Sequence, residues 1–175
     1  MIVFITNIQN KGKTLTLVHT LAELLMNGGY SPKEVAGNLT IRMRGYTKYK
    51  NEELRAYIED MLKNEVRHKV VLIDEVDGVY PARFWNRGRQ TEQLLGLWQD
   101  FKLFNWFIMT GHIGNAGSDL IVRAAATVYI EPTYIKGEDK IYINGYDKRS
   151  RSPFYQTIHP ASAMFPFYKR WEPIK

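Results

Sequence analysis

The sequence predicts an α/β fold in which a mainly parallel sheet is flanked by helices and carries an antiparallel hairpin near its C-terminal end. Short apolar runs alternate along the chain with segments of helical periodicity, an order typical of parallel strands joined by right-handed helical crossovers. The apolar runs are continuous, which is the pattern of strands covered on both faces. Two strand-like segments follow each other directly in the last part of the chain, and they predict the hairpin.

The first strand and the first helix enclose a glycine-containing loop. Ile2–Thr6 is β-branched, aromatic and uncharged, so it predicts a buried strand, with residues 7–13 as the loop that follows. From Thr14 onward apolar side chains recur at helical spacing, and the "NGG" of residues 27–29 ends the helix. These apolar positions are Leu17, Val18, Leu21, Leu24 and Leu25.

Strands and helices continue to alternate through the middle of the chain. The predicted strands are "GNLTIRM" (37–43), "KVVLIDE" (69–75) and "NWFIMTG" (105–111). The predicted helices are "NEELRAYIEDMLKN" (51–64), "QTEQLLGLWQDFK" (90–102) and "GSDLIVRAAA" (117–126). Asn51 and the acidic residues after it mark a helix start, because they complement the unpaired N–H groups of the first turn.

The C-terminal part, about residues 127–175, is predicted to form a hairpin and an irregular tail. "ATVYIEPTYI" (126–135) and "KIYINGYDK" (140–148) flank the turn-rich "KGED", which indicates antiparallel strands at the edge of the sheet. The prolines that favour an irregular tail are Pro153, Pro160, Pro166 and Pro173. The aromatic residues expected to pack the tail over the domain are Phe154, Phe165, Phe167 and Trp171.

Composition limits the class of protein. A chain of 175 residues that is 45% hydrophobic and 24% charged is expected to fold as one globular domain over residues 1–175. It contains no cysteine, which excludes disulfides, thiolate zinc sites and cysteine nucleophiles. The chain starts directly with an apolar strand, and none of its apolar runs reaches membrane-spanning length. We therefore expect a cytoplasmic protein without a membrane segment.

The charge of the chain favours an anionic partner. The formal net charge is +6 and the isoelectric point is about 9.4, a balance that suits nucleic acid. Three segments mix cations with aromatic or polar residues: "IRMRGYTKYK" (41–50), "RFWNRGR" (83–89) and "YDKRSRSPFY" (146–155). They are the candidate nucleic-acid-binding surfaces, and the alternative is that each is a solvated loop.

The loop after the first strand nearly matches the phosphate-binding pattern G-x-x-x-x-G-K-[ST]. Gly12, Lys13 and Thr14 fill its last three positions, whereas Asn7 replaces the first glycine. Lys13 would contact the β- and γ-phosphates and Thr14 would ligate Mg²⁺. Asparagine tolerates the left-handed conformation that such a turn needs. The alternative is an ordinary glycine turn. The predicted nucleotide contacts are Asn7, Asn10, Lys11, Gly12, Lys13, Thr14 and Leu15.

A pair of carboxylates follows the buried strand of residues 69–75. Asp74 is expected to hold Mg²⁺, usually through water, and Glu75 to polarise the attacking water. Alone, such a pair is more often a solvated strand end. Together with Lys13 and Thr14, it predicts a P-loop nucleoside-triphosphate hydrolase that uses ATP and Mg²⁺.

The strand at 105–111 supplies further candidates for catalysis. Ligands of open α/β sheets lie at the carboxyl ends of strands, so Thr110 or His112 could sense the γ-phosphate. Arg123 could stabilise the transition state as an arginine finger supplied to a neighbouring subunit, and Arg83 competes for that role. The alternative for either arginine is a structural salt bridge, and for His112 a surface or capping role.

These pieces, in this order, resemble small P-loop ATPases of viruses and mobile elements that are related to the zonular occludens toxin-like and FtsK–HerA-like DNA-packaging or export motors. The resemblance rests on the loop ending "GKT", on "NLTIR", and on "VVLIDEV" followed by "PAR". It continues with "FIMTGH", "SDLIVRAAATVYIEP" and "FPFYKRWEPI". The chain departs from the family's pattern at Asn7, where the family has glycine, and at His112, where glutamine is more common.

The resemblance implies ATP hydrolysis coupled to the movement of DNA, by a ring of identical subunits in which one subunit completes its neighbour's site. It assigns Lys13 and Thr14 to nucleotide and metal, and Asp74 and Glu75 to metal and water. His112 takes the sensor position and Arg123 the arginine position. A packaging role would add a capsid or portal protein as a partner, and would place the protein in the host cytoplasm or the virion.

Other functions are compatible with the same residues. A nucleotide-binding switch or assembly module would use the loop and the carboxylates without translocating DNA. A nucleotide kinase is less favoured, because no clear arginine-rich lid lies between the loop and the carboxylate pair, although residues 42–50 could imitate one.

Overall fold

The computed structural model describes residues 1–8, 11–80, 102–112 and 125–167. The strands are β1 (Ile2–Thr6), β2 (Val35–Gly37), β3 (Thr47–Lys48), β4 (Val70–Ile73), β5 (Trp106–Gly111), β6 (Val128–Ile135), β7 (Lys140–Asp147) and β8 (Ser152–Ile158). The α-helices are α1 (Lys13–Asn27), α2 (Asn51–Lys63) and α3 (Val76–Val79), and short 3₁₀ helices span Pro32–Glu34, Lys136–Glu138 and Ala161–Phe167. The helices predicted at 90–102 and 117–126 lie almost entirely outside the described residues.

The strands form one mixed sheet in the order β3-β2-β4-β5-β1-β6-β7-β8. The pairs from β3 through to β6 are parallel, whereas β6, β7 and β8 pair antiparallel. The predicted parallel sheet with helices and a C-terminal antiparallel hairpin is therefore confirmed. Because β5 lies between β1 and β4, the loops after these three strands meet at one edge of the sheet.

The central strands are buried on both faces, which explains their continuous apolar runs. Side chains of β1 alternate between two cores: Ile2 and Phe4 join α2 and α3 on one face, and Val3 and Ile5 join α1 on the other. All four residues of β4 are fully buried. Apolar side chains on both sides of each strand thus hold helices against both faces of the sheet.

The second strand differs from the prediction at 37–43. β2 ends at Gly37, because the side chain of Asn38 replaces the strand ladder beyond that point. Its Nδ2 donates to the Asp74 carbonyl over 2.8 Å, and its Oδ1 accepts from the Asp74 N–H over 2.7 Å. The chain can then leave the sheet, and it returns as the short β3 beside β2, a strand that the sequence pattern did not predict.

The tail is more regular than its prolines suggested. Residues Ser152–Ile158 form β8, which among the described strands pairs with β7 alone. Proline has no N–H to donate, and an edge strand can accept Pro153 because it has no second neighbour that needs one. Phe154 packs against the core beside α1 as expected. Phe165 and Phe167, however, are 46% and 50% exposed, so the prediction that they pack the tail is wrong. Trp171 lies outside the described residues.

No helix in the described part of the chain is long and apolar enough to cross a membrane.

Candidate nucleotide-binding site

Gly12 shapes the start of α1. It adopts φ 89° and ψ 12°, a left-handed conformation, and the helix begins at Lys13. A Cβ atom at this position would lie 3.2 Å from Cβ of Tyr134, so both the backbone conformation and the close approach require glycine. The first turn of α1 contains no acidic residue. Its N–H groups and positive dipole end are therefore suited to an anion.

Asn7 acts differently from the prediction. Among the described residues, the non-glycine positions with positive φ are Glu65, His68, Glu75, Asp139 and Arg151, so Asn7 does not take the left-handed turn that was expected to explain it. Its Nδ2 instead donates to the Pro132 carbonyl of β6 over 2.7 Å, and its Oδ1 accepts from the Ile8 N–H over 2.7 Å. Asn7 thus fastens the loop to the neighbouring strand.

Lys13 turns its ammonium back toward the loop. Its side chain is 8% exposed, and Nζ donates to the carbonyls of Asn7 and Ile8 over 2.9 and 3.1 Å. These contacts hold the cation beside the N-terminus of α1, where phosphate oxygens would meet it. The side chain of Leu15 is buried in the core, which leaves its backbone N–H as the group that could serve a ligand. Lys11 is half-buried.

Thr14 and Asp74 come together from opposite sides of β5. The Thr14 hydroxyl donates to Asp74 Oδ1 over 3.3 Å, and the buried Thr110 hydroxyl donates to the same oxygen over 2.7 Å. Burial raises the pKa of Asp74, while the hydrogen bond from Thr110 acts in the opposite direction and the charge of Glu75 adds to the rise. Two side chains predicted to serve the same metal therefore lie in direct contact.

Glu75 directs its carboxylate away from the protein interior. Its backbone has φ 56° and ψ 80°, the left-handed region that is uncommon for a residue other than glycine. The Glu75 N–H donates to the Thr110 hydroxyl over 2.8 Å, which holds this conformation in place. The side chain is 68% exposed, so water can reach the carboxylate. A strained backbone at such a position is typical of functional sites.

His112 connects Lys13 with Glu75. Its Nδ1 lies 3.2 Å from Lys13 Nζ, and its Nε2 lies 3.6 Å from Glu75 Oε1. Because a lysine ammonium can only donate, Nδ1 is the acceptor, and in the neutral ring the proton lies on Nε2, facing the carboxylate. The prediction of His112 as a γ-phosphate sensor did not anticipate this contact, since nothing in the sequence pairs positions 13 and 112.

Thr14 and Asp74 fit a magnesium ion that is shared with a nucleotide. Magnesium in nucleotide sites takes one or two protein oxygens and completes its octahedron with phosphates and water. The hydroxyl and the carboxylate supply that small set. Within the described ranges, no group of three or more His, Cys, Asp or Glu side chains is placed to hold a metal ion. A magnesium ion here would therefore need phosphate and water ligands as well.

Asn38 is a residue of the site that the sequence analysis missed. Its two hydrogen bonds to the Asp74 backbone fix the turn that carries both carboxylates, and its Nδ2 also donates to Asn51 at the start of α2. Its contacts with Asp74 join positions 36 residues apart, and the predicted strand at 37–43 placed Asn38 inside the strand, so the sequence held no signal for this role. Asn10, Arg83 and Arg123 lie outside the described residues, so their predicted roles stay predictions.

The basic segments lie on two sides of the sheet. Residues 41–50 surround the edge strand β3, and residues 146–155 form the turn between β7 and β8 at the other side. The segment at 83–89 is not among the described residues. The site lies at the carboxyl ends of β1, β4 and β5, whereas the turn between β7 and β8 lies at the opposite end of the sheet, beside the amino end of β6.

Comparison with known proteins places this arrangement in a family. The N-terminal domain of zonular occludens toxin from Neisseria meningitidis is 16% identical, with 96% of this chain and 98% of that chain covered and a TM-score of 0.59. The genome packaging NTPase B204 of Sulfolobus turreted icosahedral virus 2, solved with ATP-γ-S, is 13% identical, with 89% and 96% covered and a TM-score of 0.59. A KaiC-like protein from Pyrococcus horikoshii is 17% identical, with 89% and 82% covered and a TM-score of 0.54.

These likenesses show that the fold is that of P-loop ATPases and confirm the resemblance stated from the sequence. No curated protein sequence is a significant match to the chain. The family model "ATPase family associated with various cellular activities (AAA)" matches residues 4–132, which include the glycine loop, both carboxylates and the strand of Thr110. The chain therefore belongs to the AAA family of P-loop ATPases.

Proposed function

We propose that this protein is a Mg²⁺-dependent ATPase that translocates DNA, in viral genome packaging or virion assembly. The observation that carries the enzymatic part is the meeting of Lys13, Thr14, Asp74 and Glu75 at the carboxyl edge of the sheet, around the open N-terminus of α1. The DNA part rests on the net charge of +6 and on the likeness to a viral genome packaging NTPase.

The loop binds the triphosphate of ATP in this proposal. Backbone N–H groups from Asn10 to Leu15 donate to phosphate oxygens, with Gly12 giving them room to approach. The Lys13 ammonium leaves the loop carbonyls and neutralises the β- and γ-phosphates. A magnesium ion held by Thr14 and Asp74 would supply charge neutralisation of the same oxygens.

Glu75 serves as the general base. Its exposed carboxylate accepts a proton from a water molecule as the water oxygen attacks the γ-phosphorus, and the bond to the β-phosphate oxygen breaks to release ADP. Thr110 positions Asp74 and the Glu75 backbone through its two hydrogen bonds. His112 contacts Glu75 from the side of Lys13, so it can report whether the lysine has moved to the phosphates.

The proposed assembly is a homo-oligomeric ring in which Arg123 or Arg83 of one subunit completes the site of its neighbour. DNA would pass between subunits, and a capsid or portal protein would be the docking partner in the host cytoplasm. The ring is what the resemblance to DNA-packaging motors implies, and it is tested through its effect on turnover.

ATP turnover, measured with and without DNA over a range of protein concentrations, tests the proposal. A motor predicts turnover that DNA stimulates at low salt, where phosphate contacts are strongest, and a rate per subunit that rises with concentration. A rate per subunit that stays constant would contradict an arginine supplied in trans. Absence of turnover under all of these conditions would refute the enzymatic assignment.

The alternative is a nucleotide-binding switch or assembly module that recruits a partner without translocating DNA. One observation favours it: the fold is also similar to the flagellar accessory protein FlaH from Methanocaldococcus jannaschii, at 14% identity with a TM-score of 0.54. ATP turnover that ignores added DNA at low salt would support this alternative over the motor.

A further inference from the structure

A cavity lies at the amino ends of the central strands, opposite the nucleotide site. Its walls include Lys102 in the turn before β5, Trp106 at the start of β5, Thr127 before β6, and Lys148 after β7. Its volume is about 500 Å³, within the range of about 300–1,000 Å³ typical of ligand sites. Neither the phosphate-binding loop nor the carboxylate pair takes part in it, so it is a separate feature of the fold.

The lining combines cations with aromatic rings. Lys102, Lys148 and Arg149 supply positive charge, and none of the described residues that line the cavity is acidic. Arg149 is paired with Asp147 at its rim over 2.6 Å, so the two lysines contribute most of the positive character. Burial lowers the pKa of Lys148, and the charge of Lys102 lowers it further. An anion in the cavity would relieve this repulsion.

The aromatic residues of the lining are accessible from the same space. Phe104 is 41% exposed and follows the exposed Leu103, and Tyr30 and Trp106 are partly buried beside it. The guanidinium of Arg67 lies over one face of the Phe104 ring, 4.1 Å from its centroid, so a base would stack on the other face. Exposed apolar rings among cations suit a ligand that has both flat apolar faces and negative charge.

Backbone and side-chain hydrogen bonds connect the walls of the cavity to the central strands. The buried Asn105 accepts from the Lys69 N–H over 2.8 Å and donates to the Val66 carbonyl over 3.0 Å. On the opposite wall, the Lys148 N–H donates to the Thr127 carbonyl over 2.9 Å, and the Thr127 N–H donates to the Ile2 carbonyl. The turns that carry the two lysines are thus tied to the central strands.

We propose that this cavity binds a nucleotide unit of single-stranded nucleic acid, with the lysines on the phosphodiester and the aromatic rings against the base. Bases of a single strand are free to stack on side chains, whereas those of a duplex are already stacked on each other. The inference deepens the proposed function and rests on it, because it supplies a place where a translocating protein would hold one DNA strand.

The test is equilibrium binding of a fluorescent oligothymidylate of about 20 nucleotides, measured without ATP. The variant Lys102→Glu with Lys148→Glu is expected to bind at least about tenfold more weakly, and to lower the magnitude of the slope of log K against log salt by about 1.4, since each phosphate contact contributes about 0.7. Phe104→Ala is expected to lose about threefold or more through stacking. Equal affinity of the charge variant and the parent would overturn the proposal.

Matched controls separate this site from general charge effects. Lys136→Glu reverses the charge of one lysine at the opposite end of β6, roughly 25 Å away along the strand, and is the control for each of the single variants Lys102→Glu and Lys148→Glu; it is expected to bind like the parent. Thermal unfolding midpoints show whether each variant is folded. Phe104→Ala, which leaves the charges in place, keeps the test valid if the double charge variant unfolds.

The remaining arms decide the class of ligand. A duplex or a polyglutamate peptide that binds as tightly as the single strand would contradict the assignment, and so would a free mononucleotide that matches the oligomer. ATP turnover without DNA is expected to be unchanged in the double variant, because the site is remote from Lys13. Absent turnover with intact oligothymidylate binding would refute the proposed function and leave this site standing.

Discussion

The two ends of the central strands carry opposite chemistry. At the carboxyl ends, polar groups face complementary groups: Lys13 meets carbonyl oxygens, Thr14 meets Asp74, and His112 lies between a cation and a carboxylate. At the amino ends, lysines and aromatic rings line a cavity whose described residues include no acid. Complementary groups hold each other in position for chemistry, whereas like charges around a space favour an incoming anion. The two proposed functions, ATP hydrolysis and nucleic-acid binding, would therefore lie at opposite ends of the same sheet.

The largest expected effect on ATP binding concerns Lys13. Replacing it by alanine removes the cation beside the N-terminus of α1, so we expect ATP affinity to fall at least about 100-fold, or about 2.7 kcal/mol. Fluorescent ATP-analogue titration measures this change. Lys11→Ala is the matched control, because it truncates a half-buried lysine of the same loop and keeps its backbone N–H. Comparable losses in both variants would mean that the loop binds by overall charge alone.

His112 is expected to affect turnover more than binding. His112→Ala breaks the link between Lys13 and Glu75, and we expect kcat to fall about tenfold, a small loss for a group that positions a base, with KM little changed. His112→Gln, which restores a polar side chain of similar reach, should recover part of the rate. An unchanged kcat in both variants would leave the observed contacts without a catalytic role.

Gly12 tests the geometry of the loop through stability. Gly12→Ala places a Cβ in a left-handed conformation and against Tyr134, so the free energy of unfolding should fall by about 3 kcal/mol. Gly29 has a similar φ of 73°, but an added Cβ would have no atom within 4 Å. Gly29→Ala should therefore lower the free energy of unfolding by only about 1 kcal/mol. Urea unfolding compares the two. Equal losses would mean that the close approach of β6 to the loop is unimportant.

Asn7 tests whether the departure from the glycine pattern weakens the site. Asn7→Gly removes the hydrogen bond to Pro132, so we expect a loss of about 1 kcal/mol in unfolding free energy, with ATP affinity within about threefold of the parent. Asn7→Ala removes the same hydrogen bond without adding the backbone freedom of glycine. Comparing the two variants separates the effect of the lost hydrogen bond from the effect of backbone freedom. A tenfold gain in ATP affinity with glycine would show that asparagine limits binding.

Asp74 gives the smallest effect, and its sign depends on pH. Burial raises the folded-state pKa of the Asp74 carboxyl above the ordinary 3.8. The folded protein therefore binds the carboxyl proton more tightly than the unfolded chain does. The resulting stability is fully present below pH 3.8 and is lost as pH rises through the folded pKa. Asp74→Asn lacks that loss, so relative to the parent it should gain stability from pH 4 to pH 7 in urea unfolding. A relative loss would contradict a raised pKa.

The sequence predicted those strands and site residues that a local residue pattern determines. The continuous apolar runs of β1, β4 and β5 located the central strands, and the residues after them located the site, because parallel strands bring their carboxyl ends to one edge. The end of β2 was not predictable, since the Asn38 side chain replaces ladder bonds to a strand that is distant in sequence. β8 was missed because an edge strand tolerates a proline that would be excluded from a central one. The roles of Asn7 and His112 depend on long-range contacts that no periodicity encodes.

The central claim is that Glu75 is the base of an ATPase whose phosphate site is built around Lys13. It is tested most directly by ATP binding and single-turnover hydrolysis in Glu75→Gln, which keeps the size of the side chain but cannot accept the proton. We predict an unchanged affinity for ATP and a hydrolysis rate at least about 100-fold below the parent. Hydrolysis at the parental rate would contradict the account.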